Sequence, residues 1–297
     1  MTDDVNETAG DAGLRETADE VEELISEAES LGADDRWDEA QGLLLNALET
    51  HPDDALLLCW AGIASERMGS DGEAYELFRR ALARQPTDPF ILAAAGTGIA
   101  VFDDPDAESA LRLAAITAPD FPLARSAYGS YLAREGLFEQ ALVELRAARD
   151  LVPDDGHVRA ELGLAALLAR RSEEGLAELE EALSHLEDDS WLRGVFGLAL
   201  LEGGQAEEGA EQLFRAVQER PEDMELQLLG ALAFAEQGWE DEAWNAVARA
   251  EASAEALDRD VIREVEEAVE AGPEEAGSFL REQLGPSLLR ERLSQRG

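Results

Sequence analysis

The sequence predicts an all-α protein, a solenoid built from antiparallel helix pairs. Three observations predict it. A small residue recurs along the chain at Ala28, Gly62, Gly96, Gly129, Gly163, Gly197 and Ala231, in steps of 34, 34, 33, 34, 34 and 34 residues. A second small residue follows at Ala40, Ala74, Ala107, Ala141, Gly175, Gly209 and Ala243, twelve residues on except at Ala107, which comes one early and accounts for the 33. A proline then closes five of the seven units: Pro52, Pro86, Pro119, Pro153 and Pro221, with Glu187 and Glu255 in the other two.

Within each unit the first small residue belongs to a helix A and the second to a helix B. Gly or Ala at both places lets the two backbones approach closely. Four residues after the second small residue comes a bulky group, Leu44, Phe78, Leu111, Leu145, Leu179, Leu213 or Val247, and three further on an alanine, from Ala47 to Ala250. Offsets of four and three share one helical face, so the bulky side chain is expected to fill the space toward the next unit. The turn between A and B carries Gly69, Gly136, Gly204 or Gly238, as a helix end needing positive φ does. The closing proline stops helix B, because its ring cannot continue the hydrogen-bond ladder.

This pattern resembles the tetratricopeptide repeat, a 34-residue helix–turn–helix unit. The resemblance runs over residues 21–257. The family's first-helix Trp and Tyr are mostly replaced here by Leu, Ala or Phe, positions that need only packing volume. The resemblance implies a right-handed superhelix with the A helices lining its concave side. The expected organisation is an acidic disordered tail at 1–17, seven repeats over 18–257, a degenerate capping repeat at 258–285 and a tail at 286–297. In the cap, Val265 is in phase with Ala231, while Arg281 stands where the bulky apolar group belongs. Val261, Ile262, Val265 and Val269 face the last full repeat, as a terminal unit with a polar outer side requires.

Charge bounds the function. The chain carries 67 acidic and 24 basic residues, net −43, and every basic residue is arginine. High Asp and Glu without Lys resembles proteins adapted to multimolar salt, the haloarchaeal-like type, because like charges destabilise a compact state unless screened. At 1 M salt the Debye length is about 3 Å and the repulsion is nearly local. With 45% hydrophobic residues in regular phase, the acidity does not imply disorder of the repeats. No basic stripe exists to neutralise phosphates, which argues against nucleic acid. No apolar run reaches the roughly 18 residues of a membrane span. The start Met1–Val5 lacks a signal-peptide pattern, and the single Cys59 cannot pair internally, so a cytoplasmic location is expected.

Candidate chemistry is sparse. His51, His157 and His185 fall in three different repeats, without ligand spacing. Cys59, among Leu56, Leu57, Leu58 and Trp60, reads as a buried small hydrophobe. The acidic pairs Asp34-Asp35, Asp53-Asp54, Asp154-Asp155, Asp188-Asp189 and Glu222-Asp223 read for the most part as helix N-caps, and Asp103-Asp104-Pro105-Asp106 as the same device at an intrarepeat turn. No GxGxxG, P-loop, GxSxG or HExxH motif occurs. Catalytic residues, metal ligands and cofactors are therefore expected to be absent.

The resemblance then implies a scaffold or adaptor that binds a peptide or helix of another protein in the concave groove. The alternative is a non-catalytic accessory subunit of an enzyme or transferase complex. The expected groove residues are Ile63, Leu164, Leu167, Leu198, Leu201, Leu228 and Leu232, most apolar toward the C-terminal half. A second possible occupant is the chain's own Leu288, Leu289 and Leu293, and the alternative to a groove is that the groove leucines pack against one another across adjacent A helices. The clamp with which some family members hold acidic chaperone tails needs Lys, Arg and Asn; this chain has no Lys, and its Asn residues are Asn6, Asn46 and Asn245.

Overall fold

The computed structural model describes residues 20–186, 188–254 and 258–292. All regular structure among them is helical. The elements are α1 (20–33), α2 (Trp37–Thr50), α3 (Ala55–Arg67), α4 (Asp71–Ala83), α5 (Pro89–Ala100), α6 (Ala107–Thr117), α7 (Pro122–Arg134), α8 (Phe138–Leu151), α9 (Gly156–Leu168), α10 (Ser172–His185), α11 (Ser190–Glu202), α12 (Ala206–Glu219), α13 (Met224–Glu236), α14 (Glu240–Ser253), α15 (Arg259–Ala271), α16 (Pro273–Phe279), a π-helical turn (Leu280–Leu284) and α17 (Gly285–Arg292). Odd-numbered helices up to α13 are the A helices and the even ones up to α14 the B helices. The tail 1–17, Glu187, Glu255 and Leu293 lie outside the described residues.

Helix starts follow from the acidic caps. The side chains of Asp54, Asp88, Asp155, Asp189 and Asp223 accept hydrogen bonds from backbone N–H groups in the first turns of α3, α5, α9, α11 and α13, at 2.8–3.1 Å. Each such cap contributes about 1 kcal/mol. The A-to-B turns share one backbone conformation. Positive φ falls at Asp35, Gly69, Asp103, Gly136, Arg170, Gly204 and Gly238, in the same steps as the small residues. At six of these turns an N–H bonds the carbonyl five residues back, as Ser70 N–H does to Ser65 at 2.8 Å and Trp239 N–H to Phe234 at 2.8 Å, satisfying carbonyls the helix end leaves free.

The third turn differs, and Asp104 is the reason. Rather than capping α6, its buried carboxylate accepts from Asp106 N–H at 2.9 Å, the Tyr75 hydroxyl at 2.8 Å and Arg79 at 3.1 Å. Burial disfavours its charged form, but these hydrogen bonds and the Arg79 charge outweigh it and lower its pKa. Neither Asp106 nor Asp103 caps in its place: no side-chain bond caps α6, and Asp103 takes the left-handed turn position.

The chain divides into two compact units, 1–127 and 128–297, the division falling within α7. In the first, α3 packs on α4 and α5 on α6, B helices α2 and α4 also pack on the next A helices, α3 and α5, and α3 and α5 meet directly. Phe78 shows how the small residues are used: a Cβ on Gly62 would come within 2.6 Å of its ring, and Gly98 of the next repeat is equally close-fitting. Cys59 is fully buried, and burial pushes its thiol pKa up, so it acts as packing.

In the second unit α8–α14 continue the scheme. α10 packs on α9 and α11, α12 on α11 and α13, and A helices α9, α11 and α13 meet in succession. The tightest pair is α11 with α12: a Cβ on Gly197 would stand 2.8 Å from the Gly209 carbonyl oxygen, and one on Gly209 would stand 2.6 Å from that of Gly197. B helices α8 and α10 are joined by arginine–glutamate pairs: Arg146 bonds Glu174 twice at 2.7 Å, and Arg149 reaches the buried Glu178, whose other oxygen holds Arg159 at 2.6 Å. α15 and α16 cover α13 and α14, where Ile262, Val265, Val269 and Ala276 join their core.

Candidate partner-binding face

In the second unit A helices of successive repeats meet, whereas B helices α10 and α12 each lie between their own A helix and the next. Within the second unit α9, α11 and α13 therefore form the shared face on which a ligand could touch several repeats at once. α11 and α13 are apolar nearly all round: Leu192, Val195, Leu198, Ala199, Leu200 and Leu201 are buried on α11, as is almost every residue from Leu226 to Ala235 on α13. A helix hydrophobic on every side needs cover on every side.

The expected groove residues sort into distinct positions. Ile63 is half-buried on α3, in the first unit. Leu167 and Leu201 face their own repeats: a Cβ on Gly175 would meet Leu167 Cδ2 at 2.7 Å, and one on Gly209 would meet Leu201 Cγ at 2.8 Å. The cause is helical geometry, because a residue four after the small A-helix residue shares its face and so looks at helix B. Leu228 and Leu232 are fully enclosed in the cluster that joins α11–α16. Leu164 and Leu198 keep 6% of their surface exposed and have the chain's own C-terminal stretch for a neighbour. Leu289 is buried in the same cluster as Leu164, Leu284 in the same cluster as Leu198, and Leu288 packs against the latter. α17 packs on α9, and a Cβ on Gly285 would lie 3.9 Å from Leu198 Cδ1.

Charge sits at the C-terminal ends of the A helices on this face. Both carboxylate oxygens of Glu236 on α13 accept from one Arg281 guanidinium nitrogen, at 2.7 and 2.8 Å. Glu202 of α11 bonds Arg170 at 3.1 Å; its burial raises its carboxyl pKa, against the pull of Arg170, Ser172 and Arg281. Sequence reasoning passed over this cluster, although Arg281 interrupting an apolar position was a visible signal. Among the described residues no group of His, Cys, Asp and Glu is arranged to hold a metal ion, and no helix is long and apolar enough to cross a membrane.

No family model matches the chain, and no curated protein matches it. Solved structures do. The Cut9 chain assembly described as the APC/C hetero-tetramer Cut9–Hcn1 superposes with a TM-score of 0.67 at 17% identity, over 80% of this chain and 48% of that one, so this chain spans about half its length. A tetratricopeptide repeat protein from Parabacteroides merdae ATCC 43184 gives 0.62 at 16% identity, over 84% and 98% of the two chains. The fold is that of the tetratricopeptide-repeat (TPR) proteins. A thermophilic TPR protein of Thermus thermophilus adds a TM-score of 0.50 at 25% identity, over 61% of this chain and 98% of that one. At these identities the likeness is one of fold, and the TPR frame explains why the 34-residue phase coincides with the left-handed turns.

Proposed function

We propose that this TPR protein is a non-catalytic scaffold or adaptor, and that the A-helix face of residues 128–297 receives an amphipathic helix of a partner protein. One observation carries the reading: Leu164 of α9 and Leu198 of α11 lie beside the chain's own C-terminal stretch, and a leucine-bearing helix, α17, packs on α9 there. A face that fits one such helix fits another of like chemistry, since buried apolar anchors dominate helix-in-groove recognition. The fold is the frame and not the proof, because folds do not specify function. The absence of catalytic motifs in the sequence supports a binding role without chemistry of its own, and the lone buried cysteine suits a cytoplasmic setting.

The acidity is read as salt adaptation of the surface. It is spread along the whole chain, and net −43 without lysine is tolerable in a compact fold when salt screens it.

The test is purification of the tagged chain from its native host, for wild type and for Leu164→Asp. The expected result is a second protein in fixed ratio with wild type and its loss from the variant, whose helical circular dichroism stays intact. A partner retained by Leu164→Asp would place binding elsewhere.

A further inference from the structure

The last turns of the described chain go further than closing the solenoid requires. α15 and α16 already cover the final repeat, and a terminal unit need do no more. Yet the chain continues through the π turn and α17 back to α9, two repeats upstream. Leu280, Leu284 and Leu289 are all buried along this path.

The helix passes its own proline to make that contact. Pro286 has no amide hydrogen, and its ring crowds the carbonyl of the preceding turn. The helix accommodates it by widening: Gly285 N–H bonds the Leu280 carbonyl, five residues back. Beyond the turn the chain is anchored twice, Leu284 in the cluster of Leu198 and Leu289 in the cluster of Leu164. α17 forms the last two turns of a helix that runs on from α16 through the π turn, and its buried Leu289 is what ties it to the α9 cluster.

Charge points the same way. Residues 281–292 hold Arg281, Arg290 and Arg292 against Glu282 and Glu291, net +1, in a chain of net −43. The rest of the chain thus carries −44, and the Arg281–Glu236 pair at 2.7 Å is where this contrast becomes a bond. A basic, leucine-bearing segment lying on an acidic body is complementary to it as a separate ligand would be.

We propose that α17 is a built-in competitor: a displaceable helix that occupies the partner-binding face in the resting protein and that an incoming amphipathic helix with leucines and arginines in the same pattern must replace. This rests on the binding face argued above. A partner then meets a face that is open only part of the time, and its apparent affinity falls by the open fraction.

The experiment uses the full chain. A fluorescein-labelled peptide of residues 280–292 is titrated against wild type and against Leu289→Asp, by fluorescence polarisation in high-salt buffer. The peptide is expected to bind Leu289→Asp at least ten-fold more tightly than wild type, with the thermal transition of the variant preserved. Hydrogen exchange of unaltered wild type gives a second, independent reading: the amides of α17 are expected to exchange at least 100-fold faster than those of α11 and α13, through an opening that leaves the repeats folded. Equal peptide affinity for the two chains, or no binding to a folded Leu289→Asp, overturns the proposal. So does protection of α17 equal to that of α13, or collapse of the repeats in Leu289→Asp, since either makes α17 a fixed part of the core. If the peptide result is negative while a partner still co-purifies in a Leu164-dependent way, the binding face stands and only the competitor fails.

Discussion

Gly197→Ala is the substitution whose sign depends most directly on the helix approach seen in the structure. Placing alanine in the interior of an unconstrained helix gains about 0.8–1 kcal/mol over glycine. At position 197 the new methyl would stand 2.8 Å from the Gly209 carbonyl oxygen and 3.0 Å from Leu213 Cγ. The first of these is backbone and cannot rotate away, so α11 and α12 must separate by several tenths of an ångström. Overpacking of this kind costs about 1–3 kcal/mol, leaving a net loss of about 1 kcal/mol after the propensity gain. The control is Gly42→Ala, at an exposed position of α2, where an added Cβ meets nothing within 4 Å; there the full gain of about 1 kcal/mol is expected. For a unit of this size 1 kcal/mol moves the melting temperature by about 2–4 °C. The assay is thermal unfolding by circular dichroism, with hydrogen exchange of α11 and α12 to localise the change, because repeat arrays need not unfold in two states. Gly197→Ala should melt lower than wild type and Gly42→Ala higher, and Gly197→Leu lower still. Equal or higher stability for Gly197→Ala would refute the close approach of the two helices.

Three further outcomes are expected. Melting temperature should rise steeply between dilute buffer and 2 M KCl, as screening removes repulsion among the carboxylates; a flat salt response would contradict salt adaptation. Asp35→Gly should raise stability by up to about 1 kcal/mol by relieving an L-residue at φ 58, measured by urea unfolding, and a clear loss would show that the turn is not strained. The hydrogen bond from Arg146 lowers the Glu174 pKa, so its contribution to stability is present above the unfolded carboxylate value of about 4.3 and fades as pH falls through the folded one. Arg146→Ala should move the NMR titration of Glu174 upward, and an unchanged titration would dissociate the two residues.

The fold was legible because one packing constraint repeats. Small residues at 163 and 175, or 197 and 209, are what two touching helices need, and little besides a stacked helix pair produces a 34-residue period in such pairs. The caps at Asp54, Asp155, Asp189 and Asp223 were equally readable, since an acidic residue before an apolar helix has one common use. Asp104 was not, because its partners Tyr75 and Arg79 lie 29 and 25 residues earlier and no local pattern brings them near. The face was harder. Leu164 and Leu167 look alike in a sequence, and only the position of Gly175 shows that Leu167 turns toward its own helix B. The left-handed turns at Asp35, Asp103 and Arg170 were hidden by non-glycine residues. The π turn at 280–284 was hidden because Pro286 suggests a helix end, whereas here the helix widens and goes on.

The central claim, that the A-helix face is where a partner sits, is tested most directly by photo-crosslinking in the native host. A photoreactive amino acid is placed at Ala160, half-buried on α9 beside the cluster that holds Leu164 and Leu289, and in separate strains at the exposed Val143 of α8 and Trp244 of α14. The account predicts adducts from Ala160 to a helical, leucine-bearing segment of another protein and none in common from the B-helix positions. Adducts to a partner from Val143 or Trp244, with only residues 285–292 of the same chain captured at Ala160, would contradict it.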